Sequence, residues 1–285
     1  HHRLYKDHDF DTAFGALYQI YRRNFFPLFL VSLVGIMVFY LSFLLLGWHQ
    51  LDMASFIEED FEHPARLVSF GFLILLVGLV VYTFVYLAIT WFVYRKQGDE
   101  KVSPWKTFGE ATRKYFFRFL LLMILAGVIL VAGTMLGIFI LVIGSLLALL
   151  YLGVSLYVSA PAMVIEDIDP GSAVGRSFVL THKDFWVSLG LVIVFFLIVM
   201  VIQLILTAII SIPGAVIFIS KLISSGDVSE WFTHDQMFSC FGLGTAGMIL
   251  NAVINALVLP LTPIFSVILY YKLRYKEENQ PSHLR

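Results

Sequence analysis

Phe119–Pro161 reads FLLLMILAGVILVAGTMLGIFILVIGSLLALLYLGVSLYVSAP and holds no charged residue. As a single helix it would be roughly 60 Å long at 1.5 Å per residue, about twice the ~30 Å hydrocarbon core of a bilayer. It therefore has to cross a membrane, turn and cross back. The turn is expected near Gly133 to Gly137, where small residues cluster.

Outward from this hairpin, four more apolar stretches are long enough to span. The full set lies near 26–48, 67–94, 117–136, 137–160, 185–211 and 238–271. The apolar runs are continuous rather than alternating, which argues against barrel strands. Composition agrees: 59% hydrophobic residues and 14% charged, against about half and a quarter in soluble domains. The reading is all-α, a polytopic bundle of six transmembrane helices forming a single integral membrane domain over 1–285. The first apolar stretch is too long for a signal-peptide core and lacks a small-residue cleavage site. A lone cysteine, Cys240, allows no intrachain disulfide. No metal site is placed on His1-His2.

Net charge is −1, so no global basic field draws in nucleic acid. The charges are instead sorted by position. Of nineteen Lys and Arg, all except Arg66 and Lys221 fall in the N-terminus, the 95–118 and 161–184 segments, or the C-terminus. The intervening loops are acidic, with Asp52, Glu58, Glu59, Asp60 and Glu62 in one and Asp227, Glu230 and Asp235 in another. This bias predicts that both termini are cytoplasmic.

A pattern recurs on the basic side. Phe14-Gly15-Ala16-Leu17-Tyr18-Gln19-Ile20-Tyr21-Arg22-Arg23-Asn24-Phe25-Phe26 aligns without a gap to Val174-Gly175-Arg176-Ser177-Phe178-Val179-Leu180-Thr181-His182-Lys183-Asp184-Phe185-Trp186. A looser, shorter copy runs from Thr107 to Phe117. Each reads as a cytoplasmic interfacial amphipathic helix feeding a pair of spans, and the repeat units fall near 10–94, 104–160 and 169–272. Their aromatics suit the headgroup boundary, and their basic residues suit anionic lipid headgroups.

The central turns of the spans contain no ionisable residue. Ion-coupled transporters place such groups there, because charge movement needs them. The polar exceptions are Gln203, Asn251 and Asn255. The two asparagines share a helix face, and they could line a polar site or simply bond between helices. Pro260 and Pro263 should kink the last span. Pro213-Gly214 could break the fifth, leaving a half-helix from Ala215 to Ile223. Gly133 with Gly137, Gly144 with Ala148, and Gly242 with Ala246 allow close backbone approach, within the chain or across a homo-oligomer face. His49, His63 and His234 lie near loop acids but lack metal-ligand spacing. No nucleotide loop or hydrolase motif occurs, and no cofactor is expected.

The most specific local signal is Pro161-Ala162-Met163-Val164-Ile165-Glu166-Asp167-Ile168-Asp169-Pro170-Gly171-Ser172-Ala173-Val174-Gly175-Arg176-Ser177. Asp169 can N-cap a helix with Pro170 in its first position. Arg176 could reach back to Glu166 or Asp167 as a latch. Together with Thr181, Phe185 and Trp186, the segment resembles the membrane domain that precedes the catalytic barrel in some bacterial glycerophosphoryl diester phosphodiesterases. It is also similar to uncharacterised bacterial six-helix membrane proteins. The matching residues are Pro161, Val164, Glu166, Ala173, Arg176, Ser177, Thr181, Phe185 and Trp186. The likeness covers about 25 residues closely and the six-span layout loosely. No catalytic barrel is present, so the resemblance implies a membrane module and does not carry over the phosphodiesterase chemistry.

The expected function is a non-enzymatic membrane scaffold or accessory module, acting through membrane lipids or other membrane proteins. Glu166, Asp167, Asp169, Arg176 and Ser177 are its structural or partner candidates. One alternative is a transporter or channel for a small apolar or amphipathic substrate, using Gln203, Asn251 and Asn255. Another is a membrane-embedded lipid-processing enzyme.

Overall fold

The computed structural model describes residues 4–45, 64–98, 103–138, 141–225 and 245–279. Ten helices are found among them and no strand: α1 Phe10–Arg23, α2 Phe25–Leu45, α3 Pro64–Gly98, α4 Pro104–Ile138, α5 Leu141–Leu156, α6 Ser159–Glu166, α7 Pro170–His182, α8 Phe185–Ser225, α9 Thr245–Val258 and α10 Leu261–Asn279. Six apolar helical segments are long enough to cross a membrane: Phe25–Ser42, Gly71–Lys96, Pro104–Ile138, Val142–Glu166, Phe185–Ile212 and Ile249–Asn279. The chain is an all-α polytopic membrane protein. Large apolar side chains such as Leu45, Val142 and Leu204 are exposed along the spans, as they must be when the surrounding medium is hydrocarbon rather than water.

Two compact units divide the chain. The first comprises His1–Val31, Tyr82–Leu197 and Leu259–Arg285; the second comprises Ser32–Val81 and Ile198–Val258. In the first unit α10 is buried almost continuously from Pro263 to Leu273. Phe265 stacks on Phe195 of α8 at 4.3 Å and on Phe14 of α1 at 5.5 Å. Tyr86 of α3 donates to Ser266 at 2.9 Å, and Tyr157 donates to the Thr262 carbonyl at 3.3 Å. A core of Tyr86, Leu87, Ala111, Tyr115, Phe119, Leu122, Met163 and Ala173 joins α3, α4, α6 and α7. On α4 the buried residues Thr107, Phe108, Ala111, Tyr115, Phe119 and Leu122 fall at helical spacing, so one stripe of a long helix faces this core.

The second unit's described residues are parts of α2, α3 and α8 together with α9. Gly78 lets the Phe39 ring pack close to its backbone, 3.4 Å from where a Cβ would lie.

Several expectations need correction. The hairpin does not turn at Gly133 to Gly137. The helix runs through both glycines to Ile138 and resumes at Leu141, because glycine inside a lipid-facing helix keeps its backbone bonds and serves packing. Pro213-Gly214 does not end α8, which continues to Ser225. The last span does break, between Val258 and Leu261, and Ile264 N–H bonds the Pro260 carbonyl in the new helix. The histidines at 49, 63 and 234, and Gly242, lie outside the described residues.

The three amphipathic segments also differ among themselves. In the first, Asn24 interrupts the helix between α1 and α2, with its side-chain amide on the Ile20 carbonyl at 2.9 Å. In the third, Asp184 stands at the equivalent place between α7 and α8. Both residues' carbonyls then accept from the residue four ahead, Leu28 and Ser188. Short polar side chains stabilise such turns by competing with the helix for backbone groups. The second copy has buried Tyr115 before its aromatic pair, and α4 passes straight through as one helix, so the separate amphipathic helix expected there is absent. The second aromatic of each pair is nonetheless the most exposed: Phe26 67%, Phe117 82% and Trp186 80%.

His8, ahead of α1, is fully buried. Its Nε2 lies 3.1 Å from the Leu4 carbonyl. Burial lowers its pKa below the ordinary value. An unfolded chain takes up this proton near pH 6.5 while the folded one resists it. Thermal stability should therefore fall as pH drops below about 6.5, because the unfolded state binds the extra proton. Melting curves of the wild type and His8→Phe between pH 7.5 and about pH 5 test this. Parallel pH profiles for the two proteins would refute it.

Candidate functional site: a charged brace in the first unit

The segment from Glu166 to Arg176 builds the site. Asp167 caps α6 in the left-handed conformation, with φ 53° and ψ 41°, a region that Asp tolerates better than most residues. Asp169 then N-caps α7. Its carboxylate accepts from the Ser172 amide at 2.9 Å and the Ser172 hydroxyl at 2.6 Å, with Pro170 opening the helix as expected. The Ser172 hydroxyl holds the Asp169 carboxyl below its ordinary pKa. The αL reversal followed by a fresh cap folds α7 back on α6, so Arg176 overhangs the end of α6.

Arg176 pairs with Glu166, Nε lying 3.0 Å from Oε1 and 3.2 Å from Oε2. Its two remaining nitrogens fork onto Glu277 of α10 at 2.9 and 2.6 Å. The guanidinium's planar donors suit two carboxylates at once. Lys183 adds a bond to Glu277 at 2.8 Å, and Tyr270 donates to Glu166 at 2.7 Å. Side-chain exposure is 26% for Arg176, 20% for Glu166 and 18% for Glu277, so the cluster is mostly withdrawn from solvent. Glu277, and then Glu166, drive the Arg176 pKa above its ordinary value. Lys276 pairs with Asp184, Arg274 bonds Glu278 at 3.0 Å, and Tyr5 donates to Glu278. These contacts tie the chain before α1, the end of α6, α7 and the α7–α8 turn to the end of α10.

Asp167, the other acid proposed for Arg176, faces elsewhere. Lys114 reaches it at 3.0 Å and Arg118 at 3.4 Å, both from α4. The Lys114 hydrogen bond lowers its pKa. The reason is geometric: the αL turn at Asp167 carries its side chain away from α7 while Glu166 remains on the helix. Ser177 is fully buried and donates to the Ser155 carbonyl at 2.5 Å, which locks α7 to α5.

The other partners, Glu277, Tyr270, Lys183 and Asp184, did not emerge from sequence reasoning. The one available signal was the pair Glu277-Glu278, two acids inside an otherwise basic C-terminal run.

The intramembrane amides meet in the second unit. Gln203 Nε2 approaches Asn255 Oδ1 at 3.5 Å, and Asn255 Nδ2 donates to the Asn251 carbonyl at 2.8 Å. Such a pair satisfies polar groups between α8 and α9. No group of three or more metal-ligating side chains occurs among the described residues.

Fold and charge layout define the class of protein, an all-helical integral membrane protein. Compared with family models, curated proteins and solved structures, the chain matches none.

Proposed function

We propose that this chain is an integral membrane scaffold or accessory module, acting through lipid contact or partner proteins without catalysis of its own. The observation that supports this reading is the brace. Its carboxylates and guanidinium are spent on one another across α6, α7 and α10, an arrangement that holds helices in register. In the second unit Gln203 bonds Asn255, whose amide in turn donates to the Asn251 carbonyl. The likeness of Pro161–Trp186 to the membrane domain of the phosphodiesterases fits an accessory role.

The resemblance to bacterial membrane domains supports a bacterial inner membrane, and the distribution of Lys and Arg supports cytoplasmic termini. Single cysteines at positions 59 and 101 in a Cys240→Ser background test the orientation. An impermeant maleimide added to intact cells should label position 59 and spare 101; the reverse pattern would invert the topology.

The activity is tested in vesicles of mixed anionic and zwitterionic phospholipid containing the purified chain. The expected result is retention of anionic lipid through delipidation, with no lipid cleavage products and no pH-gradient-dependent solute uptake. Cleavage products would move the protein to the lipid-processing enzymes, and gradient-driven uptake to the transporters.

A further inference from the structure

The first unit carries an open groove lined by Trp91 and Arg95 from α3 and by Glu110, Arg113 and Lys114 from α4. We propose that it is a specific site for a phosphate-bearing anion, most naturally the headgroup phosphate of an anionic phospholipid. The inference rests on the lipid-contact reading above and gives it an address.

Three cations line the groove, Arg95, Arg113 and Lys114, against one acid, Glu110. Arg95 lies 3.7 Å from Glu110, and both are about half exposed. Lys114 and Arg118 share Asp167, and all three are likewise about half exposed. Exposed pairs of this kind are weak and readily exchanged for a better anion. Arg113 is exposed and makes no ion pair among the described residues. The surplus is therefore positive, and its charges converge on one groove.

One wall is the Trp91 ring. The Arg95 guanidinium stands 5.7 Å from the Trp91 ring centroid, and the Lys114 ammonium 4.6 Å from that of Tyr115. These contacts set both cations against aromatic rings.

Position selects the ligand. Arg95 falls at the end of one candidate span, Gly71–Lys96, and Arg113 near the start of another. Trp105 is 58% exposed and Phe117 is 82% exposed. Phe117 lies one helical turn beyond Arg113, on the way into the apolar part of α4. A ligand with a phosphate in the groove and an acyl chain beside Phe117 meets both features, with the aromatics at headgroup depth. A free phosphate would use the cations alone.

The test is native mass spectrometry of the full chain in detergent doped with phosphatidylglycerol or phosphatidylcholine. Phosphatidylglycerol should be retained preferentially. The double variant Arg95→Gln, Arg113→Gln should weaken its binding roughly tenfold, while Lys6→Gln, which removes an exposed cation outside both the groove and the amphipathic segments, leaves it unchanged. Glu110→Gln should strengthen binding roughly threefold, a gain that misfolding cannot imitate. Millimolar inorganic phosphate that displaces the lipid would assign the groove to the phosphate group itself; failure to displace it would assign the groove to the whole lipid. Equal retention of phosphatidylcholine, or no response to any of the groove variants, would overturn the proposal. Transport or lipid cleavage in the vesicle experiment would overturn the scaffold reading instead, and the two failures are distinct.

Discussion

Arg176→Ala should destabilise the protein by about 2–3 kcal/mol, below the 3–5 kcal/mol typical of fully buried pairs because the cluster keeps some contact with water. Removing the guanidinium leaves Glu166 and Glu277 close together without the cation that separates them, each in an environment poor in water. The loss should appear as a melting point lowered by roughly 5–10 °C in detergent and as a smaller folded yield. Arg176→Lys should fall between the two, since one ammonium cannot fork onto both carboxylates. The decisive comparison is a double-mutant cycle. Glu277→Ala added to Arg176→Ala should recover part of the loss, because it removes the carboxylate that the first change orphaned. Simple additivity of the two changes would mean that the brace is not an energetic unit.

A second large effect is expected at Gly137. A Cβ there would sit 2.6 Å from the Gly144 carbonyl oxygen and 2.7 Å from the Ser145 Cα. These are backbone atoms and cannot swing aside, so α4 and α5 would have to separate. Gly137→Ala should cost about 1–3 kcal/mol through overpacking, and Gly137→Leu should abolish folded yield. Gly133 is also tight, but its neighbour is the end of the Leu152 side chain, which can rotate; Gly133→Ala should cost less. Gly127 has nothing within 4 Å, and Gly127→Ala should be neutral. Size-exclusion profiles and melting points of the three alanine variants give the ranking. A Gly127→Ala as damaging as Gly137→Ala would show that helix flexibility, not close approach, is what the glycines supply.

The same positions show how much could be read beforehand. Gly133 with Gly137, and Gly144 with Ala148, were recognisable as close-packing sites, because each pair's spacing places it on one face of a helix. That Gly137 meets Gly144 depends on where the hairpin turns, and the turn falls later than the glycines suggested. In the loop motif, the Asp169 cap with Pro170 was legible, since both preferences are local. The choice of Glu166 over Asp167 for Arg176 was not, because it turns on one left-handed residue between them.

The amino-acid sequence by itself determined that this is a helical membrane protein with six spans. Hydrocarbon leaves a polypeptide little choice, since every backbone polar group must be satisfied within its own helix, and span length follows from bilayer thickness. Tertiary structure alone decided which charges find each other. Glu277 lies 101 residues from Arg176 along the chain, and nothing in the local pattern of either residue names the other. Their meeting depends on α10 being buried at the centre of its unit, held by Phe265 and Tyr270, and such long-range packing sums many weak contacts that no short stretch of sequence encodes. The groove of Trp91, Arg95 and Arg113 belongs to the same category: its residues stand on two helices, and only the packing of Trp91 on Tyr115, at 5.2 Å between rings, brings them together.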